Sequence, residues 1–127
     1  MIINHIGYIV DSIDDFSKGL FDYDVVVKKY DSIQKANLAL FQYKNVSIEL
    51  IEPNSPDSFT WRFLQENGSS YHHLCYEVES IESALDFIKK SKMIKVFGPV
   101  PAVLFDGKSV LFAFSKNREV VEFLVAK

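Results

Sequence analysis

Two stretches of the chain alternate apolar and polar positions, shift to a helical period, and do so at a fixed separation. Residues 5–16 run His5-Ile6-Gly7-Tyr8-Ile9-Val10-Asp11-Ser12-Ile13-Asp14-Asp15-Phe16, and residues 73–84 run His73-Leu74-Cys75-Tyr76-Glu77-Val78-Glu79-Ser80-Ile81-Glu82-Ser83-Ala84. His, Tyr, Val, Ser and Ile coincide at one offset of 68 residues, from position 5 to position 73. In each copy one strand face carries Ile6, Tyr8 and Val10, or Leu74, Tyr76 and Val78, the alternation of a strand packed against a layer. Ile13, Phe16, Ser17 and Leu20, and then Ile81, Ala84, Leu85 and Ile88, fall at the i, i+3, i+4, i+7 spacing of a helix with one stripe toward a sheet. Ser12 and Ser80 stand as N-caps, with acidic residues in the first turn.

Three strands follow the first helix, at 23–29, 36–43 and 46–51, rich in Val, Ile, Phe, Tyr and Leu and parted by short polar breaks. The second half gives strands at 96–103, 109–114 and 119–125, the first of them interrupted by Pro99 and Pro101 as suits a sheet edge. Both halves therefore reduce to β-α-β-β-β. Module 1 covers about residues 1–52, module 2 about 71–127, and 53–70 is a connector carrying a short helix near Phe59–Leu64. A half of about 60 residues buries too little surface to stand alone. The sequence thus predicts one α+β domain over 1–127, its two modules forming a curved eight-stranded mixed sheet around a cavity, with helices on the outer face.

Composition narrows the function classes. With 48% hydrophobic and 14% aromatic residues, 127 positions supply a sizeable core and exclude a disordered chain. The net charge of -3 and the scattered basic residues give no nucleic-acid footprint and no membrane-surface patch. No stretch approaches the roughly 20 apolar residues of a spanning helix, and the start lacks a signal-peptide pattern, so the expected location is cytoplasmic. Cys75 is the single cysteine, which fits a reducing compartment.

The chemistry candidates emerge when strand faces are sorted. His5 lies opposite Ile6, Tyr8 and Val10; His73 lies opposite Leu74, Tyr76 and Val78; Glu49 lies opposite Ile48 and Leu50; Glu122 lies opposite Val121 and Phe123. All four avoid the helix-packed side. The glutamates are again related by the repeat, at an offset of 73 from position 49 to 122. Their neighbours on that face, Gly7, Ile9, Ser47, Ile51, Cys75, Val120 and Leu124, are small or aliphatic and suggest an apolar pocket with a few convergent polar groups. Two neutral imidazoles and two carboxylates suit one divalent first-row metal, make a neutral site, and leave positions for substrate. Around an ion each buried carboxylate is satisfied; alone it would be costly.

The twin His-starts, the strand end Ile48-Glu49-Leu50-Ile51-Glu52-Pro53 and the closing Val121-Glu122-Phe123-Leu124 together resemble the vicinal oxygen chelate superfamily, over residues 2–126. Within it the chain is most similar to the glyoxalase I and methylmalonyl-CoA epimerase branch. The resemblance implies a metal held by His5, Glu49, His73 and Glu122, with nickel, cobalt, zinc, manganese or iron as the ion, and a homodimer. It also implies a glyoxalase-like isomerase or lyase that moves a proton at a carbon next to a carbonyl of a small-molecule substrate, through an enolate or enediolate. Glu122 or Glu49 is then the base. Two alternatives share the fold: an epimerase acting on an acyl-CoA, and a non-catalytic small-molecule binding protein of the antibiotic-resistance type. Epimerases of the family carry a catalytic glutamate just before the third strand, where counting back from Glu49 gives Ile33, flanked by Ser32 and Gln34.

Other residues carry blander expectations. His72, next to His73, points to the opposite face as a structural or rim histidine. Cys75 is packing rather than nucleophile. Trp61 and Phe63 cover core or form a lid, and Lys108 is a solvated turn lysine.

Overall fold

The computed structural model describes residues 1–126. Module 1 comprises β1 (Ile3–Ile9), α1 (Ile13–Ser17), β2 (Val25–Asp31), β3 (Ala36–Gln42) and β4 (Ser47–Pro53). After α2 (Trp61–Asn67), module 2 comprises β5 (Ser70–Val78), α3 (Ile81–Lys90), β6 (Ile94–Pro101), β7 (Ser109–Phe114) and β8 (Val120–Val125), with a short 3-10 turn at Val103–Phe105. All eight strands join one curled mixed sheet in the order β2-β3-β4-β1-β5-β8-β7-β6. β1 pairs in parallel with β4 and β5 in parallel with β8, and the two modules meet along the antiparallel seam of β1 and β5. The four central strands are the four that carry the candidate ligands.

The helix caps repeat as the sequence does. Ser12 accepts from Asp15 N at 3.1 Å and Ser80 from Ser83 N at 3.0 Å, each satisfying an otherwise unpaired first-turn donor. On the convex face Ile13, Phe16 and Leu20 pack on Val10, Ala39, Phe41 and Leu50, while Ile81, Ala84 and Ile88 pack on Val78, Leu111, Ala113 and Phe123. Two details differ from the helical pattern. α1 ends at Ser17, and Leu20 reaches the core through a turn in which its N–H donates to Ser17 O. Leu85 sits on the flank of α3 at 41% exposure, outside the packed stripe. β6 does lie at a sheet edge, where its prolines leave no ladder donor missing. Among the described residues no helix is long and apolar enough to cross a membrane.

The concave face is filled, not open. Phe63, Leu64, Val103 and Leu104 cover Ile9, Leu38 and Ile51 on the module 1 side. Phe59, Ala102 and Phe105 cover Cys75, Val110, Phe112 and Leu124 on the other. The connector and the 3-10 turn therefore occupy the space the strand pattern leaves as a pocket.

Candidate metal centre

Strand register brings the four polar residues to the seam. Gly7 pairs with Glu49 on one side of β1 and with His73 on the other, and Cys75 of β5 pairs with Glu122 of β8. His5, one pleat repeat from Gly7, faces the same side. One ligand atom from each of His5, Glu49, His73 and Glu122 lies within 4.8 Å of all the others, and all four residues are buried. His5 Nε2 is 2.9 Å from Glu122 Oε1, 3.3 Å from Glu49 Oε1 and 3.2 Å from His73 Nε2. His73 Nε2 is 3.0 Å from Glu122 Oε1 and 3.7 Å from Glu49 Oε1.

Gly7 makes this convergence physically possible. A Cβ there would overlap the His73 ring at Cε1 and Nε2 and come within 2.6 Å of Nδ1. The ring lies across the β1 backbone in the space that only glycine leaves free.

Glu122 Oε1 is buried and stands close to two ring nitrogens, yet forms an aligned hydrogen bond with neither. Glu122 Oε1 and the two Nε2 atoms thus converge on one point. Burial opposes the charge of Glu122, but contacts with His5 and His73 more than offset it and hold the carboxyl well below its ordinary 4.5. Burial likewise opposes protonation of His5; the Glu49 charge and contacts with Cys75, Glu122 and Glu49 outweigh it and raise the imidazole well above its ordinary 6.5.

The donor set could hold a divalent ion. Ligands about 2.1 Å from a shared ion stand roughly 3.0 Å apart at right angles and roughly 3.4 Å apart at tetrahedral corners. The observed separations of 2.9 to 3.7 Å span those values. Two imidazoles with two carboxylates also match a borderline first-row metal, which would satisfy the orphaned Glu122 oxygen.

His72 departs from the strand pattern. A register shift between Gly7/His73 and Tyr8/Tyr71 is a β-bulge, so two consecutive residues turn inward where strict alternation sends His72 outward. His72 is buried against Phe59, Phe63 and Phe112, with its Nδ1 2.8 Å from His73 Nδ1. Burial, reinforced by His73, lowers its pKa to about 3, so it is neutral. His5 has a corresponding neighbour: its Nδ1 lies 2.8 Å from Asn4 Oδ1, and Asn4 Nδ2 donates to Glu77 Oε2 at 3.0 Å. Cys75 is fully buried, and burial followed by the Glu122 charge pushes its thiol far up, which fits packing and not nucleophilic chemistry. Phe63 covers core. Lys108 is an exposed turn residue whose carbonyl accepts from Ala102 N. Phe105, absent from the sequence candidates, stacks on the His5 ring at 5.4 Å and 6°. Ile33 is 47% exposed in the β2–β3 turn, and β3 itself turns Leu38 and Leu40 to the concave face.

Fold and site together define an eight-stranded, two-module scaffold with a buried His/Glu cluster at its seam, and residues 4–112 match the family model of the glyoxalase/bleomycin resistance protein/dioxygenase superfamily. The chain belongs to that superfamily. It is 29% identical over 126 residues to the uncharacterized protein YqjC of Bacillus subtilis, covering 97% of this chain and 88% of that protein. It is 36% identical over 74 residues to an ethylmalonyl-CoA/methylmalonyl-CoA epimerase of Cereibacter sphaeroides, covering 58% of this chain and 55% of the relative. Among solved structures, a hypothetical protein of Bacillus halodurans superposes with a TM-score of 0.81 at 28% identity, over 96% of this chain and 91% of the other. A Streptomyces coelicolor methylmalonyl-CoA epimerase superposes with a TM-score of 0.82 at 19% identity, over 98% and 93%, which shows the shared fold.

Proposed function

We propose that the protein is a divalent-metal-dependent enzyme that removes and returns a proton at a carbon next to a carbonyl, with an acyl-CoA thioester as substrate. The observation that carries this reading is the buried convergence of His5, Glu49, His73 and Glu122. When bound, the ion would supply a Lewis acid for the negative charge that develops on the carbonyl oxygen. The epimerase names of the relatives support the substrate class.

The base is Glu49. Leu38 and Leu40 stand on the module 1 side of the cluster, and the cluster's own two carboxylates differ in how they are held. Glu122 Oε1 is wedged between both imidazoles at 2.9 and 3.0 Å. Glu49 Oε1 is held more loosely, at 3.3 and 3.7 Å, and is free to accept a proton and return it. A glyoxalase I-type lyase would use the same transfer, but glutathione carboxylates call for a guanidinium. Arg62 is engaged by Glu66 on the surface at 3.3 Å, and Arg118 is an exposed turn residue.

Proton exchange is the direct test. Protein stripped with chelator and reloaded with cobalt, zinc, nickel or manganese is incubated with methylmalonyl-CoA in deuterium oxide, and loss of the C2 proton signal is followed by NMR. Exchange is expected only in metal-loaded protein, and Glu49→Gln should slow it by about 10²–10⁴-fold. Equal exchange by stripped protein, or by Glu49→Gln, would overturn the reading. Conversion of the methylglyoxal–glutathione adduct without exchange of the thioester would replace it with the lyase.

A further inference from the structure

Resting on the metal reading above, we infer that Asn4 and His72, the residues immediately before the one ligand histidine of each module, are matched positioning residues that hold the ligand imidazoles as Nδ1–H tautomers with Nε2 bare. The repeat that relates His5 to His73 also relates Asn4 to His72, at the same offset of 68 from position 4 to 72. Each neighbour places one atom 2.8 Å from the Nδ1 of its histidine. The same task is thus done twice by different chemistry.

For His5 the proton position follows from a chain of obligations. The Glu77 carboxylate only accepts, so the Asn4 contact at 3.0 Å must be made by the amide NH2. Asn4 Oδ1 then faces His5, and an amide oxygen cannot donate. His5 Nδ1 must carry the hydrogen in the 2.8 Å bond. A neutral His5 therefore presents a lone pair at Nε2, the atom that faces Glu49, Glu122 and His73.

For His73 the partner is an imidazole, and one of the two Nδ1 atoms must donate. If His72 donated, His73 Nε2 would bear the hydrogen and point it into the cluster, where it could not ligate. An ion at Nε2 selects the other arrangement: His73 Nδ1–H donates to His72, whose own hydrogen sits on Nε2 among Phe59 and Phe63. The bulge in β5 is what turns His72 inward to accept. Outer partners of this kind fix ring orientation and tautomer, and their loss costs about 10–100-fold in metal affinity.

Two kinds of variant separate this role from packing. His72→Phe keeps a ring among the phenylalanines but removes the acceptor, whereas His72→Gln restores a carbonyl acceptor. Asn4→Leu removes the acceptor at His5, and Asn4→Asp retains an oxygen there. Affinity for cobalt and zinc is measured by chelator competition on protein whose folding is checked by circular dichroism, with ¹⁵N NMR of the imidazoles in the zinc form. His72→Phe and Asn4→Leu are each expected to weaken binding by about 10–100-fold, with partial recovery in His72→Gln and Asn4→Asp. The spectra should show protons on Nδ1 of His5 and His73 and on Nε2 of His72. A folded His72→Phe with wild-type affinity, or a proton on His73 Nε2 in the zinc form, would overturn the inference and leave the metal reading standing. A wild type that takes up no ion would overturn the metal reading and this inference with it.

Discussion

Gly7 shows how one missing side chain sets the geometry of the site. Its Cα is paired across the seam with His73, and any Cβ would occupy the volume of that ring. Gly7→Ala must push His73 away from Glu49 and Glu122 or bend β1. We expect a loss of about 1–3 kcal/mol in denaturant unfolding together with loss of metal uptake in elemental analysis. In a His73→Ala background the ring is gone, and the added cost of Gly7→Ala should shrink to within about 0.5 kcal/mol. An undiminished cost there would place the strain in the β1 backbone instead. The four cluster residues were legible in the sequence because alternation assigns each to a face and the repeat supplies each with a counterpart. Gly7 was not, since its role depends on which residue of β5 lies opposite, and no local pattern encodes that register. His72 escaped for a related reason: a bulge adds one residue and breaks the parity on which face assignment rests.

Among the elements, the two β-α-β-β-β modules were readable down to their serine caps, while the segments that close the concave face were not. The apolar run predicts a strand as far as Val103; in the structure β6 stops at Pro101 and Val103–Phe105 folds over the site. Asp106 at φ 55° and Gly107 at φ 76° reverse the chain after the turn, and Lys29 Nζ donates to Val103 O at 3.5 Å across the mouth. Alternation reports which face a residue takes, whereas a cover is specified by contacts with strands distant in sequence. Phe105 on the His5 ring leaves that ring with no solvent exposure. Phe105→Ala should therefore speed the stripping of metal by excess chelator, followed as the decay of the cobalt spectrum. Because Phe105 is only half-buried, stability should fall by less than the roughly 3–5 kcal/mol of a core Phe→Ala change. Equal stripping rates would mean that ions reach the cluster by a path that bypasses this turn.

Across the whole molecule, the cluster draws one histidine and one glutamate from each module, so an ion held there would bind the native sheet and not the separated halves. Ligand binding to the native state alone stabilises by about 2.7 kcal/mol at a free concentration one hundred times Kd, on the order of 10 °C in Tm for a chain of this size. His5→Ala should abolish that rise. Its pH dependence has a definite sign. In metal-free protein the raised pKa of His5 means that its imidazolium stabilises the fold below the ordinary 6.5 and ceases to do so as pH climbs through the raised value. The depressed pKa of Glu122 works oppositely, stabilising above its ordinary 4.5 and failing as pH falls toward the depressed value. An ion takes the place of the His5 proton, so the loaded protein does not lose stability on the alkaline side as the metal-free protein does. The Tm gain on adding zinc should consequently widen as pH rises through neutrality, measured by calorimetry at fixed free zinc. A gain that is flat or narrows over that range would mean that His5 gives up no proton when the ion binds.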